Sequence, residues 1–282
     1  MVSSIIEALP ADILERLDAT AARAETACGA GRMVWRIWGS GRPLVLLHGG
    51  YGSWQHWVRN IPYFQRSHRL YVPDIPGLGE SDEAADPTPA GIGKTVAAGM
   101  EELIPAGQEV DLVGFSFGAL IAGHVAAQFS RGLASLTVVG PGALGLPRSN
   151  IVLQRTDGEM SEAARREANR ANLAMLMIAD ESRIDALAID IQARNVGLAR
   201  VKSRRFANSP SLTDALRQSR PGRLNAIWGD KDVVASGRFA EREALLREIR
   251  PDVSFNLVQD AGHWVAYERP EAFNALLERL ID

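Results

Sequence analysis

The feature that most constrains this chain lies between Val110 and Ala126. An apolar strand pattern, Val110 to Val113, breaks at Gly114-Phe115-Ser116-Phe117-Gly118. A small-residue helix pattern then runs through Ala119, Ile121, Ala122 and Ala126. A serine at such a strand-to-helix junction implies a turn so tight that its backbone is strained. Glycines two residues to either side let neighbouring chain approach without Cβ clashes. The hydroxyl would project above the sheet, and the helix N-terminus would favour negative charge formed nearby. The same five residues also suit a plain turn of small residues. Chemistry at Ser116 therefore needs a base, a group to orient that base, and donors for a developing oxyanion.

The rest of the chain alternates strand and helix patterns. Met33 to Trp38, Leu44 to Leu47, Leu70 to Pro73, Leu133 to Val139, Leu224 to Trp228 and Val253 to Val258 read as further strands. Helices are expected over Lys94 to Ile104 and near residues 238–249 and 270–280. Such alternation predicts an α/β fold with a largely parallel sheet and helices on both faces. Active groups in such sheets gather beyond the carboxyl ends of the strands. Residues 5–24 read as an amphipathic helix, with Ile5, Leu9, Ile13, Leu14 and Leu17 on one stripe. That stripe could pack on the core or on a partner, which permits a homodimer. Residues 145–220 break the alternation. They contain helical stretches such as Ser161 to Ala179, and no buried strand is evident. A helical cap over the strand ends is the expectation, with extra packing helices away from the site as the alternative. The core domain would then comprise residues 1–144 and 221–282.

Composition narrows the function. A formal net charge of -3, with no dense Lys/Arg run, argues against a nucleic-acid surface. Cys28 is the sole cysteine, so neither an intramolecular disulfide nor a multi-cysteine zinc cage is expected. No apolar run reaches the roughly 18–20 residues of a membrane span. The first residues lack the basic segment and apolar stretch of a signal peptide. A cytoplasmic protein without a membrane partner is expected. No set of His, Asp and Glu has metal-ligand spacing, so neither a metal nor another cofactor is expected.

Three other segments meet the requirements of Ser116. His263, in Gln259-Asp260-Ala261-Gly262-His263-Trp264, follows the last predicted strand, and an imidazole titrates near neutrality. Gly229-Asp230-Lys231-Asp232 follows another strand and offers two carboxylates to orient it. Asp232 is the choice and Asp230 the alternative. The backbone N–H of Phe117 and that of Gly50, in His48-Gly49-Gly50-Tyr51-Gly52, are the expected oxyanion donors. This glycine-rich stretch lacks the Lys-Ser/Thr ending of a phosphate loop. Trp54, His56 and Trp57 follow it and could line an acyl pocket or simply close the core. His68 and His124 have no chemical context.

Leu46-Leu47-His48-Gly49-Gly50, Asp74-Ile75-Pro76-Gly77-Leu78-Gly79-Glu80-Ser81, Gly114 to Gly118, Gly229 to Asp232 and Gly262-His263-Trp264 occur in an order that resembles the α/β-hydrolase superfamily. The resemblance covers residues from about 33 to 282. It implies an eight-stranded, mostly parallel sheet, a cap inserted after the sixth strand, and a triad of Ser116, Asp232 and His263. It also implies that His48 braces its loop. With serine as nucleophile, the expected reaction is acyl transfer to water from a small-molecule ester or lactone. The run Gly262 to Asn274 is similar to the meta-cleavage-product C–C hydrolases, where a tryptophan after the histidine and a cap arginine help bind a dienol carboxylate. Trp264 matches that tryptophan, and Arg194 is a possible match for the arginine. A ligand receptor on a hydrolase fold is an alternative of another class.

Overall fold

The computed structural model describes residues 10–156, 159–235 and 237–282. The chain opens with α1 (Pro10–Ala19), followed by the strands β1 (Ala22–Cys28), β2 (Gly31–Trp38) and β3 (Arg42–Leu47). A short α2 (Ile61–Phe64) leads to β4 (His68–Pro73), α3 (Pro89–Leu103), β5 (Asp111–Phe115), α4 (Phe117–Gln128) and β6 (Ser135–Val139). Three further helices follow: α5 (Glu162–Leu176), α6 (Ala186–Leu198) and α7 (Ser211–Gln218). The chain then returns through β7 (Arg223–Gly229), α8 (Phe239–Ile249), β8 (Ser254–Val258), α9 (Val265–Glu268) and α10 (Pro270–Ile281).

The eight strands form one sheet in the order β1-β2-β4-β3-β5-β6-β7-β8. β2 pairs antiparallel with both β1 and β4, and every other pairing is parallel. Strands buried on both faces explain the uninterrupted apolar runs. Along β3, Val45 and Leu47 join one core cluster while Leu44 and Leu46 join the other. The first cluster lies under α3, α4, α7 and α8, with Val96, Leu120, Leu212 and Leu246 among its members. The second lies under α1, α2 and α10 and also receives α5 and α6 residues, including Leu14, Phe64, Leu173, Ile191 and Leu277. Burying each such side chain is worth about 1.5–3 kcal/mol before entropy is counted, so both helical layers are held to the sheet mainly by apolar contact.

One expectation needs correction. The helix expected over residues 5–24 covers only Pro10–Ala19 among the described residues, and Ile5 and Leu9 lie outside them. From Ala22 the chain is a strand whose Cys28 pairs with Gly31 across a two-residue turn, Gly29-Ala30. β1 is an edge strand with Arg23 and Glu25 exposed and only Thr26 and Cys28 buried. Its apolar signal is accordingly sparse, and its alanines read as helix. Leu14 is buried, and Ile13 and Leu17 pack beside it, so the α1 stripe covers this chain's own core. Residues 145–220 do not all pack alike. α7 falls within that span, yet Leu212 and Leu216 pack in the α3–α4 layer, and His124 Nε2 lies 2.9 Å from Ser211 Oγ. α5, α6 and the 3₁₀ turn Ser203–Phe206 precede it.

Candidate active site

Ser116 is the N-cap of α4, directly after β5, with φ 53° and ψ −110°. Positive φ in a residue with a side chain costs of order 1–3 kcal/mol. Packing around the turn holds it there: Ser116 N–H donates to Val139 O at 2.8 Å. A Cβ on Gly114 would collide with the Gly118 carbonyl, and one on Gly118 with the carbonyls of Leu47 and His48. The two glycines thus let β3, β5 and α4 converge beneath the serine.

His263 sits on the loop between β8 and α9, and Asp232 on the loop after β7. His263 Nε2 lies 2.9 Å from Ser116 Oγ, and His263 Nδ1 lies 2.8 Å from Asp232 Oδ2. The other Asp232 oxygen, Oδ1, accepts the Val234 N–H at 2.8 Å, so both carboxylate oxygens are engaged. With the carboxylate accepting Nδ1–H, the opposite nitrogen is left as the acceptor facing the hydroxyl. Asp230 takes no part in this chain. Its Oδ1 accepts the Ala261 N–H at 3.3 Å and steadies the backbone before His263. Asp232 and His263 are only 2% and 4% exposed, which keeps water from competing for their hydrogen bond.

The serine opens into a cavity of about 420 Å³ whose lining includes Gly50, Ser116, Phe117 and His263. Two histidines set the glycine loop. His48 Nε2 accepts the Ile75 N–H at 2.9 Å, so Nδ1 carries the proton and donates to Gly49 O at 2.8 Å. His56 Nδ1 accepts the Gly49 N–H at 3.2 Å. Burial lowers the proton affinity of both rings. His56 is held well below its ordinary value by burial first, then by the neighbouring His48 and His263. Each therefore stays neutral and keeps the lone pair that anchors the loop. Among the described residues, the N–H of Gly50 meets no acceptor, and that of Phe117 opens α4 without an intrahelical partner. Both remain available to an oxygen in the cavity.

The expected substrate contacts fall elsewhere. Trp54 and Arg194 line a separate cavity of about 310 Å³ beside α1, together with Leu14 and Asp18. Arg194 is on α6, and its position along that helix faces α1 rather than Ser116. His56 and Trp264 are buried behind the cavity wall. Their ring centroids are 4.8 Å apart, and Trp264 Nε1–H donates to His56 O at 3.0 Å. They support the loop bearing Gly49 and the loop bearing His263. Ser203, Arg148 and Arg204, which sequence reasoning did not single out, do line the cavity beside Ser116. A Cβ on Gly50 would collide with Ser203 Oγ, which places this hydroxyl directly over the glycine loop.

The sequence profile described as the Alpha/beta hydrolase family matches residues 44–276, well over half of the chain. The chain belongs to the alpha/beta hydrolase family. This α/β-hydrolase is 26% identical over 259 residues to the 2-hydroxy-6-oxo-6-phenylhexa-2,4-dienoate hydrolase of Burkholderia cepacia, covering 84% of this chain and 87% of that one. It is also 27% identical over 281 residues to the dihydrolipoyllysine-residue acetyltransferase component of the acetoin cleaving system of Cupriavidus necator, covering 96% of this chain and 72% of the relative. In structure it resembles naproxen esterase (carboxylesterase NP) of Bacillus subtilis, with TM-score 0.73 and 16% identity over 97% of each chain. That likeness concerns the fold. Among the described residues, no helix of this α/β-hydrolase is long and apolar enough to cross a membrane.

Proposed function

We propose that this α/β-hydrolase is a serine hydrolase that cleaves a small-molecule carboxylic ester or lactone through an acyl-enzyme. The observation that carries this reading is the hydrogen-bonded chain Ser116–His263–Asp232 at the floor of a cavity. His263 Nε2 takes the hydroxyl proton as Ser116 Oγ bonds to the carbonyl carbon. The carbonyl oxygen becomes an oxyanion, held by the N–H groups of Gly50 and Phe117 and favoured by the N-terminus of α4. Asp232 stabilises the imidazolium without taking its proton. As the tetrahedral intermediate collapses, the C–O bond to the leaving group breaks and His263 delivers the proton to that oxygen. Water then enters, gives a proton to His263 and releases the acid by the same steps. Residues between Arg148 and Ala207 act as the lid in this reading, because they roof the cavity, whereas α7 belongs with the core.

Ser116→Ala removes the nucleophile. It is expected to lower turnover of short aryl esters by roughly 10⁶-fold in kcat, down to the residual effect of binding and the oxyanion donors. A variant within tenfold of wild type would overturn the assignment.

Similarity to the Burkholderia cepacia dienoate hydrolase supports a second reading, hydrolysis of a C–C bond in a vinylogous diketone acid. The position of Arg194 away from Ser116 weighs against carrying that relative's substrate over. Incubation with a vinylogous diketone acid decides: cleavage faster than that of simple esters favours the second reading, and no cleavage removes it.

A further inference from the structure

Charge in the catalytic cavity is one-sided. Arg148, Arg155 and Arg204 line it, and no described carboxylate does so. Asp232, whose charge reaches Arg148, is engaged by His263 and by the Val234 N–H. Elsewhere, arginines of this chain are commonly paired: Arg36, buried in the core, faces Asp18, Asp74 and Glu80. By contrast, the guanidiniums of Arg148 and Arg204 meet no hydrogen-bond acceptor and no carboxylate among the described residues.

Their placement is built rather than incidental. The backbone on either side of Arg148 is tied to neighbouring elements: Pro147 O accepts from the buried Arg242 at 3.2 Å, and Ser149 Oγ–H donates to Val233 O at 2.7 Å. The half-buried Arg148 is thus held between two anchors at the cavity wall. Arg204 lies on the 3₁₀ turn Ser203–Phe206, with its guanidinium 5.7 Å from the Tyr51 ring centroid. Burial, followed by the charge of Arg204, depresses the proton affinity of Arg148. Arg148 is half-buried and Arg204 exposed; the charge of Asp232 reaches Arg148 but is already shared with His263, so the two cations repel each other, and an anion between them relieves that cost.

We propose that Arg148 and Arg204 bind a carboxylate of the substrate, so that the preferred substrate is an ester carrying a second, ionised carboxyl group. A guanidinium pairs with a carboxylate through parallel N–H bonds, which fixes the orientation of the substrate as well as its affinity. This inference rests on the ester-hydrolase reading and names the substrate class of the same site. It relies on residues unrelated in position to Arg194.

The test compares kcat/KM for nitrophenyl hemiadipate with that for nitrophenyl hexanoate, which share a leaving group and differ in terminal charge. A second pair, acetoxybenzoate and phenyl acetate, moves the charge to the leaving group. In wild type, the charged-to-neutral ratio is expected to exceed one for at least one pair and to fall as salt is added. In Arg148→Gln and Arg204→Gln that ratio is expected to drop about tenfold or more, whereas Arg148→Lys retains most of it. A wild-type preference for the neutral member of both pairs, or a ratio unmoved in both Gln variants, would overturn the proposal. Calorimetric binding of monomethyl adipate to Ser116→Ala, set against dimethyl adipate, reads the subsite without turnover. Tighter binding of the anion supports the subsite even where no ester is cleaved, in which case the hydrolase reading alone fails. Neutral-ester turnover by wild type with no preference for the anion leaves the hydrolase standing and removes the subsite.

Discussion

Asp230 and Asp232 stand two residues apart on one loop and have different work. Asp232 Oδ2 meets the imidazole at 2.8 Å, whereas Asp230 accepts a backbone N–H beside Lys231, whose ammonium pairs with Asp260. Asp232→Asn is isosteric but presents an amide to Nδ1, so it allows the wrong tautomer. A loss of roughly 10³–10⁴-fold in kcat is expected. Asp230→Asn keeps a carbonyl oxygen able to accept the Ala261 N–H, so its kcat is expected to stay within about fivefold of wild type. Steady-state kinetics on an aryl ester check both. Equal losses in the two variants would contradict the division of roles. The sequence favours Asp232 but keeps Asp230 as an alternative for a physical reason: both follow the same strand, and only the turn after Gly229 decides which points at the imidazole. Ser116, His263 and the glycine loop were legible because each needs a residue type that a strand-end turn makes conspicuous. Arg148 and Arg204 were not, because an arginine in a helical, charged segment reads as solvated surface until the chain path brings it to a cavity.

At the scale of elements, α9 and its preceding loop hold His263 in place through Glu268. This fully buried carboxylate accepts the Gly262 N–H at 2.7 Å, the Ala179 N–H at 3.1 Å and the Asp180 N–H at 2.7 Å. Trp264 N–H also donates to Met177 O at 2.7 Å, so the chain after α5 and the His263 loop are stitched together. Glu268→Gln puts an amide N–H₂ against backbone donors. It is expected to cost about 1.5–3 kcal/mol of stability in urea unfolding. A lower kcat on aryl esters is also expected, since the loop carrying His263 loses its anchor. Unchanged stability would show that the three N–H groups find other acceptors. In the sequence, Glu268 carries no signal of this role, because its partners at positions 179 and 180 are remote along the chain. β1 was missed on similar grounds. An edge strand buries only Thr26 and Cys28, which is too little alternation to outweigh helix-favouring alanines, whereas the central strands announce themselves by full burial.

For the whole molecule, three buried histidines and the half-buried His124 set a pH limit. His48, His56, His68 and His124 all bind protons less readily in the folded chain than an ordinary imidazole, with burial the main cause in each. The unfolded chain therefore takes up more protons below about pH 6.5, and stability falls as pH drops through that value. Above about pH 7 these rings are neutral in both states and contribute no slope. The urea midpoint is expected to be flat from about pH 7 to 8 and to decline between about pH 6.5 and 5. A midpoint that rises on acidification through that window would contradict the assignment of these rings as buried and neutral.

Ser116 is the point on which sheet, turn and imidazole converge, and its reactivity is most directly read by covalent labelling. Treating the native protein with a fluorophosphonate, followed by intact mass and peptide mapping, is expected to give one adduct per chain, located on the peptide containing Ser116. Labelling should be lost in Ser116→Ala and strongly slowed in His263→Ala. An adduct mapping to another residue, or undiminished labelling of Ser116→Ala, would contradict the account.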